Sequence, residues 1–178
     1  WVTIYIEDLC NTGLVRDSTR ILEAPPLALR LTPDTVLCEG SSIDLSAVIT
    51  GGSGVLHFFW DDDAMSQGTT ITVRPLQDRT YRFMVKDSLT GCEILDSVVV
   101  RVEKLPIIYA GKDTLICPGE IISLGSPVLG ATVPYTVEWK PAVALSDPYS
   151  EVTMASPAGT TTYILIVRTQ AGCEVRDT

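Results

Sequence analysis

A seven-residue pattern occurs twice in this chain and limits what it can fold into. Residues 34–40 and 113–119 share the order Asp-Thr, two aliphatic residues, Cys, any residue, Gly, and begin 79 positions apart. A fixed period is the sequence signature of a repeated structural unit, and one near 80 indicates a small domain present in several copies. The 178 residues of the chain therefore contain more than one folding unit.

Large aromatic residues repeat in the same register and mark two longer repeats, which a shorter strand pattern precedes. Trp60 and Trp139 lie 79 positions apart, and Tyr81 and Tyr163 lie 82 apart. The offset changes only between predicted strands, because loops accept insertions and strand registers do not. We predict the last strands of a truncated repeat at residues 1–24, a complete repeat at 25–104, and a repeat without its last strand at 105–178.

Apolar and polar residues alternate over short segments in both longer repeats. Leu56, Phe58 and Trp60 alternate with His57 and Phe59, and a period of two indicates a strand. Gly, Pro, Asn and Asp separate the segments, and no segment has the spacing of an amphipathic helix. The predicted fold class is all-β, with tandem immunoglobulin-like antiparallel sandwiches of about seven strands each.

Four aromatic residues are predicted to mark the cores of these sandwiches: Trp60, Trp139, Tyr81 and Tyr163. Each occupies an apolar position of a predicted strand, and burying one such side chain contributes on the order of 2–3 kcal/mol. Core packing explains their positions better than ligand binding does.

The composition is that of a folded, acidic protein. Hydrophobic residues make up 46 %, charged residues 20 %, and the net charge is −9. These values exclude a disordered chain, and the acidic charge argues against nucleic acid as a partner, since phosphates attract Lys and Arg. No run of 18 apolar residues predicts a membrane span. Because the sequence starts with Trp1 inside a strand pattern, we interpret it as a piece of a longer protein.

The third repeat resembles a known family. Its frame consists of Ala-Gly-Lys-Asp at 110–113, Ile-Cys-Pro-Gly at 116–119, Pro-Tyr-Thr-Val-Glu-Trp-Lys-Pro at 134–141, Leu-Ser-Asp-Pro at 145–148, Thr-Thr-Thr-Tyr at 160–163 and Gly-Cys at 172–173. This frame is similar to the PKD-like, immunoglobulin-type repeats of large Bacteroidetes cell-surface proteins, which include gliding-motility adhesins and other cargo of the type 9 secretion system. The second repeat departs from it, because three aspartates follow Trp60. The resemblance implies a stalk that is secreted across the outer membrane, lies outside the cell, and has secretion or surface-anchoring machinery as a partner.

Five cysteines form two matched pairs and one left over. Cys38 and Cys92 are 54 positions apart, Cys117 and Cys173 are 56 apart, and the partner of Cys10 is expected outside the chain. Cysteines that recur in register predict one disulfide per repeat and an oxidising compartment. The pairs Cys38–Cys92 and Cys117–Cys173 are therefore favoured.

Two alternatives to these pairs stay open. The first cysteine of each repeat lies near its start and the second near its last hairpin, and a ten-residue strand spans roughly 33 Å, far beyond disulfide reach. A short first strand that crosses over would still allow bonds within a repeat. Bonds between one repeat and the next would avoid that distance, and free thiols would need no partner. Zinc is not favoured, because the sequence has no Cys-x-x-Cys and a single His.

The aspartates at Asp61, Asp62 and Asp63 are the one candidate metal site. Three carboxylates after a strand can supply oxygens to Ca²⁺, with Asp87 or Asp44 completing the 6–8 ligands that the ion needs. The alternative is a solvated turn. No other cofactor is predicted, and one His in mid-strand offers no Ser-His-Asp or Cys-His set, so the chain is not expected to be an enzyme.

These observations favour a non-catalytic stalk segment of a long, secreted, repetitive cell-surface adhesin, for gliding motility or surface attachment. Its partners would be neighbouring repeats of the same chain, because Pro25-Pro26 and Pro106 stiffen the boundaries between repeats. One alternative is a polysaccharide-binding module that uses Tyr149 and Trp1 as an aromatic platform. Another is a set of spacer domains within a secreted multidomain enzyme.

Overall fold

The computed structural model describes residues 2–7, 14–21, 23–62 and 64–178, and this part of the chain contains strands and no helix. The strands are β1 (Val2–Glu7), β2 (Leu14–Thr19), β3 (Ala28–Leu31), β4 (Thr35–Cys38), β5 (Ile43–Thr50), β6 (Leu56–Trp60), β7 (Thr70–Val73), β8 (Arg79–Asp87), β9 (Glu93–Glu103), β10 (Ile122–Gly125), β11 (Tyr135–Lys140), β12 (Val152–Ala155), β13 (Ile164–Thr169) and β14 (Glu174–Asp177). The prediction of an all-β fold class is confirmed. Accordingly, the described residues include no helix that could cross a bilayer.

The strands form five sheets. β1 and β2 make an antiparallel hairpin, and the other sheets have the orders β3-β5-β7, β4-β9-β8-β6, β10-β12 and β11-β13-β14. β4 runs parallel to β9, whereas β3 runs antiparallel to β5. Pro33 lies between β3 and β4 and cannot donate to a ladder, so the opening strand of the second repeat is interrupted there and continues in a different sheet.

Two compact units can be distinguished by spatial proximity. Unit 1 comprises Trp1–Leu31, Ser46–Thr69 and Arg82–Asp96, and unit 2 comprises Thr32–Leu45, Thr70–Tyr81 and Ser97–Thr178. The predicted boundaries at residues 1–24, 25–104 and 105–178 follow the repeated motif instead, and they stay a prediction.

In unit 1, aromatic side chains from β6 and β8 pack on one face of their sheet. Trp60 lies opposite Phe83 in the antiparallel pair, and their ring centroids are 4.9 Å apart. Phe58 is 5.8 Å from the same ring. Trp60, Phe83 and Val85 are fully buried, because alternate residues of a strand face the same side.

In unit 2, the predicted third repeat contains a core shared by two sheets. Trp139 of β11, Leu165 and Val167 of β13 and Ala155 of β12 are buried together, with Tyr163 beside them. The sheets β10-β12 and β11-β13-β14 therefore enclose one hydrophobic core. All four predicted core markers, Trp60, Trp139, Tyr81 and Tyr163, are buried in the structure.

Candidate functional site

One disulfide joins distant parts of the chain within unit 2. Cys38 and Cys173 are 135 positions apart in sequence, and their Cα atoms are 5.6 Å apart. Cys38 ends β4, and Cys173 precedes β14 and is buried. The bond connects the opening segment of the second predicted repeat to the closing hairpin of the third.

The repeated seven-residue pattern positions Cys38. A carboxylate oxygen of Asp34 accepts a hydrogen bond from the N–H of Val99 at 2.8 Å, which fixes the start of β4 against β9. Along the parallel pair, Cys38 then lies opposite Glu103, the last residue of β9. Gly40 has a φ of +80°, a conformation that favours glycine and turns the chain after β4. The Asp and Gly of the pattern thus hold the sulfur of Cys38 at the end of the strand.

The repeated Gly-Cys positions Cys173. Thr169 and Cys173 exchange hydrogen bonds, because the Thr169 N–H donates to the Cys173 carbonyl at 2.9 Å and the Cys173 N–H donates to the Thr169 hydroxyl at 3.2 Å. Gly172, between them, has a φ of +85°. This tight hairpin between β13 and β14 presents Cys173 to Cys38.

The observed bond differs from the pairs that the sequence favours. Cys92 and Cys117 are free and exposed, and Cys10 lies outside the described residues. Cys92 directly precedes β9, and Cys38 lies beside the last residue of that eleven-residue strand, so the strand separates them by roughly 33 Å. A disulfide requires Cα atoms within about 7 Å. The structure instead contains a Cys38–Cys173 bond, which corresponds to the open alternative of a bond between one predicted repeat and the next.

Asp61 and Asp62, the two described residues of the aspartate run, both make contacts with other side chains. Asp61 pairs with Arg82 at 3.5 Å, and the two carboxylate oxygens of Asp62 accept the N–H and the hydroxyl of Ser66, each at 2.7 Å. Asp63 lies outside the described residues. Within the described ranges, no group of three His, Cys, Asp or Glu side chains could hold a metal ion. The calcium site stays a prediction.

Asp87 and Asp44, the two further ligands considered for calcium, also have partners. Asp44 accepts a hydrogen bond from the Thr72 hydroxyl at 2.6 Å. Asp87 is fully buried at the end of β8 and accepts the N–H and the hydroxyl of Ser53 at 2.5 and 2.6 Å.

The backbone of the next turn completes the contacts of Asp87. The N–H groups of Leu89 and Thr90 donate to its carboxylate at 3.0 and 3.2 Å. Hydrogen bonds from Ser53, and then from this turn, hold the pKa of Asp87 well below its ordinary range. Sequence reasoning missed this structural role, although an Asp that opens a turn ending in Gly indicates side-chain to backbone hydrogen bonds.

An open cleft of about 670 Å³ lies along the third repeat and includes Tyr135, Tyr149 and Glu151. The Tyr135 hydroxyl donates to Glu151, which also accepts the N–H of Val128 at 2.9 Å. The hydrogen bond between Tyr135 and Glu151 raises the pKa of Tyr135 and lowers the pKa of Glu151. Tyr149 is 72 % exposed. Trp1, the other residue of the predicted aromatic platform, lies outside the described residues.

No family model matches the sequence, and no curated protein sequence is similar to it at a significant level. Among solved structures, the chain is similar to the D00-D0 domain of intimin, at 15 % identity over 85 % of this chain and 96 % of that one, with a TM-score of 0.46. It is also similar to extracellular domains 3–5 of Drosophila OTK, at 13 % identity over 96 % and 66 %, with a TM-score of 0.48. A third similarity is to the titin domains Z1Z2 in complex with telethonin, at 15 % identity over 88 % and 94 %, with a TM-score of 0.39. These similarities concern the fold alone.

Proposed function

We propose that this chain is a non-catalytic stalk segment of a long, secreted, repetitive cell-surface adhesin. The observation that supports it is the Cys38–Cys173 bond, which joins two consecutive predicted repeats covalently. A structural disulfide is typical of proteins outside the cytosol, in agreement with a secreted stalk. PKD-like repeats and export by the type 9 secretion system are part of the proposal and rest on the sequence frame of the third repeat.

The covalent connectivity supports a mechanical role. When the two ends of the chain are pulled apart, tension can pass from Cys38 to Cys173 through the sulfur atoms. The 135 positions that separate them include most of both longer repeats, and they lie in a closed loop outside that path. The sandwich cores of these repeats are therefore protected from end-to-end load, which is the property that a stalk needs.

The polar residues considered above for chemistry lie on the surface or make structural contacts. His57, the single His of the chain, is exposed as the second residue of β6. The carboxylates of Asp62 and Asp87 are occupied by hydrogen bonds from Ser66 and Ser53. These two carboxylates hold turns together, a structural role that suits a stalk.

A pulling experiment on single molecules, with handles at the two ends of the chain, tests the stalk proposal. Without reductant, the enclosed 135 positions should add nothing to the extended length, whereas Cys38→Ser should lengthen the unfolded chain by roughly 450 Å at 3.3–3.6 Å per residue. Cys117→Ser is the matched control and should behave as the unaltered chain. Equal extension of the unaltered chain and the Cys38→Ser variant would contradict the load path.

A second candidate function is polysaccharide binding at the cleft of the third repeat. The observation that favours it is the exposure of Tyr149 beside the hydrogen-bonded pair Tyr135 and Glu151, since an exposed aromatic ring beside polar groups suits a sugar face. Titration with soluble surface polysaccharide should show binding that Tyr149→Ala removes and that Tyr109→Ala, at another exposed tyrosine, leaves unchanged. Binding that is equal in both variants would exclude this site.

A further inference from the structure

The two free cysteines occupy the same repeat positions as the two bonded ones. Cys117 lies 79 positions after Cys38, and Cys173 lies 81 positions after Cys92. Cys38 and Cys173 are bonded to each other, whereas Cys92 and Cys117 are exposed thiols. In the one observed bond, the opening cysteine of a repeat is thus joined to the closing cysteine of the repeat that follows it.

We propose that Cys117 is a covalent docking site for the closing cysteine of a further repeat of this kind placed after the third. The proposal rests on the tandem organisation of the proposed stalk and adds a pairing rule to it. Under this rule each repeat is fastened to the next one, and no repeat is fastened to itself.

The turn around Cys117 already has the form of the turn around Cys38. The N–H of Glu120 donates to the Cys117 carbonyl at 3.1 Å, as the N–H of Ser41 donates to the Cys38 carbonyl at 3.0 Å. The glycine before each donor has a similar positive φ, +85° and +80°. In addition, a carboxylate oxygen of Glu120 accepts the N–H of Cys117 at 2.9 Å. The turn that follows Cys117 therefore matches the turn that follows its bonded counterpart, and the side chain of Cys117 is exposed.

Cys92 is a closing cysteine whose hairpin is formed while its thiol is free. The N–H of Asp87 donates to the Cys92 carbonyl at 2.8 Å, as the N–H of Thr169 donates to the Cys173 carbonyl at 2.9 Å. Cys92 is exposed in this hairpin, whereas the bonded Cys173 is buried. The closing hairpin is thus formed without the crosslink, so a following repeat would present an exposed, preformed cysteine to Cys117.

Formation of the bond is a thiol–disulfide exchange with a disulfide of a thiol oxidoreductase or with oxidised glutathione. The two cysteine thiols lose two protons and two electrons and gain one S–S bond. The oxidant's S–S bond accepts both protons and both electrons and becomes two thiols.

An extended chain tests the proposal. Because Asp177-Thr178 align with Asp96-Ser97, a copy of residues 98–178 appended after Thr178 supplies a closing strand and one further repeat in register. The appended copy carries the marker substitutions Ile121→Val and Ala171→Ser at exposed positions, so that its cysteine peptides differ in mass from the original ones. After oxidation in a glutathione buffer, peptide mapping without reduction should recover the original Cys117 joined to the appended copy of Cys173. Maleimide labelling of Cys117 should fall at least tenfold relative to a control in which the appended copy of Cys173 is Ser.

Two results would overturn the pairing rule. One is an appended Cys173 joined to the appended Cys117, and the other is a Cys117 that stays fully labelled in the extended chain. Cys38→Ser in the 178-residue chain provides a test that needs no extension: Cys117 and Cys173 should both remain reactive, and a bond between them would refute the rule. The load path of the stalk depends on Cys38–Cys173 alone, so failure of the rule leaves the result of the pulling experiment unchanged.

Discussion

The second and third repeats stabilise the same closing turn by different means. In the second repeat, the buried carboxylate of Asp87 accepts four hydrogen bonds, and Cys92 in the same turn is a free, exposed thiol. In the third repeat, the neutral Thr169 holds the corresponding position, and Cys173 is bonded to Cys38. A shared register therefore does not imply a shared source of stability, since an internal charge can hold a turn that elsewhere is held by a crosslink.

Among the changes that test this difference between the repeats, removal of the disulfide should lower the free energy of unfolding most. Cys38→Ser opens a loop of 135 positions, and in the chain-entropy model a loop of that length stabilises the folded state by about 5 kcal/mol. Urea denaturation without reductant measures the loss. Cys117→Ser is the control and should change the free energy of unfolding by less than about 0.5 kcal/mol, as exposed substitutions do. Equal values for the two variants would show that the bond does not form in solution.

Removal of the Asp87 charge should have the next largest effect on stability, and this effect should fall on the second repeat. Asp87→Asn places an amide NH₂ group against N–H donors from Ser53 and the following turn, so a buried donor faces other donors. We expect the melting temperature to fall by on the order of 10 °C. Asp44→Asn, at an exposed carboxylate with one hydroxyl partner, is the matched control. Its melting temperature should fall much less. A melting temperature unchanged in Asp87→Asn would show that the carboxylate does not hold the turn.

The same carboxylate makes the second repeat sensitive to acid. Its pKa is lower in the folded state than in the unfolded state, so the unfolded state binds the proton more tightly. The contribution of the Asp87 carboxylate to the stability of the folded state is complete above the ordinary Asp pKa, near 4. This contribution is lost as the pH falls further. We expect the melting temperature of Asp87→Asn to depend less on pH below about 4 than that of the unaltered chain. If the melting temperatures of Asp87→Asn and the unaltered chain fell in parallel below about pH 4, the acid sensitivity would not come from Asp87.

The sequence predicts the strands well, because their registers repeat and burial requires a period of two. Trp60 and Trp139 are assigned to the core for the same reason, and both are buried. The pairing of the cysteines is harder to predict, since the position of Cys38 depends on the crossover of β4 to a parallel pairing with β9. Alternating residues do not reveal which sheet a four-residue strand joins. The sequence indicates Asp87 only as a cation ligand, because Ser53, the partner that dominates its environment, lies 34 positions upstream.

The smallest effect expected concerns the indole N–H groups of the two core tryptophans. In the third repeat, Nε1 of Trp139 donates to the carbonyl of Ser150 at 2.9 Å, whereas no acceptor for Nε1 of Trp60 lies among the residues that the structure describes. Both rings are buried, so replacement by Phe removes similar apolar area in each. Trp139→Phe should therefore destabilise the chain by about 1 kcal/mol more than Trp60→Phe, the value of one hydrogen bond. Urea denaturation of both variants measures the difference, and a larger loss for Trp60→Phe would reveal an acceptor for its N–H.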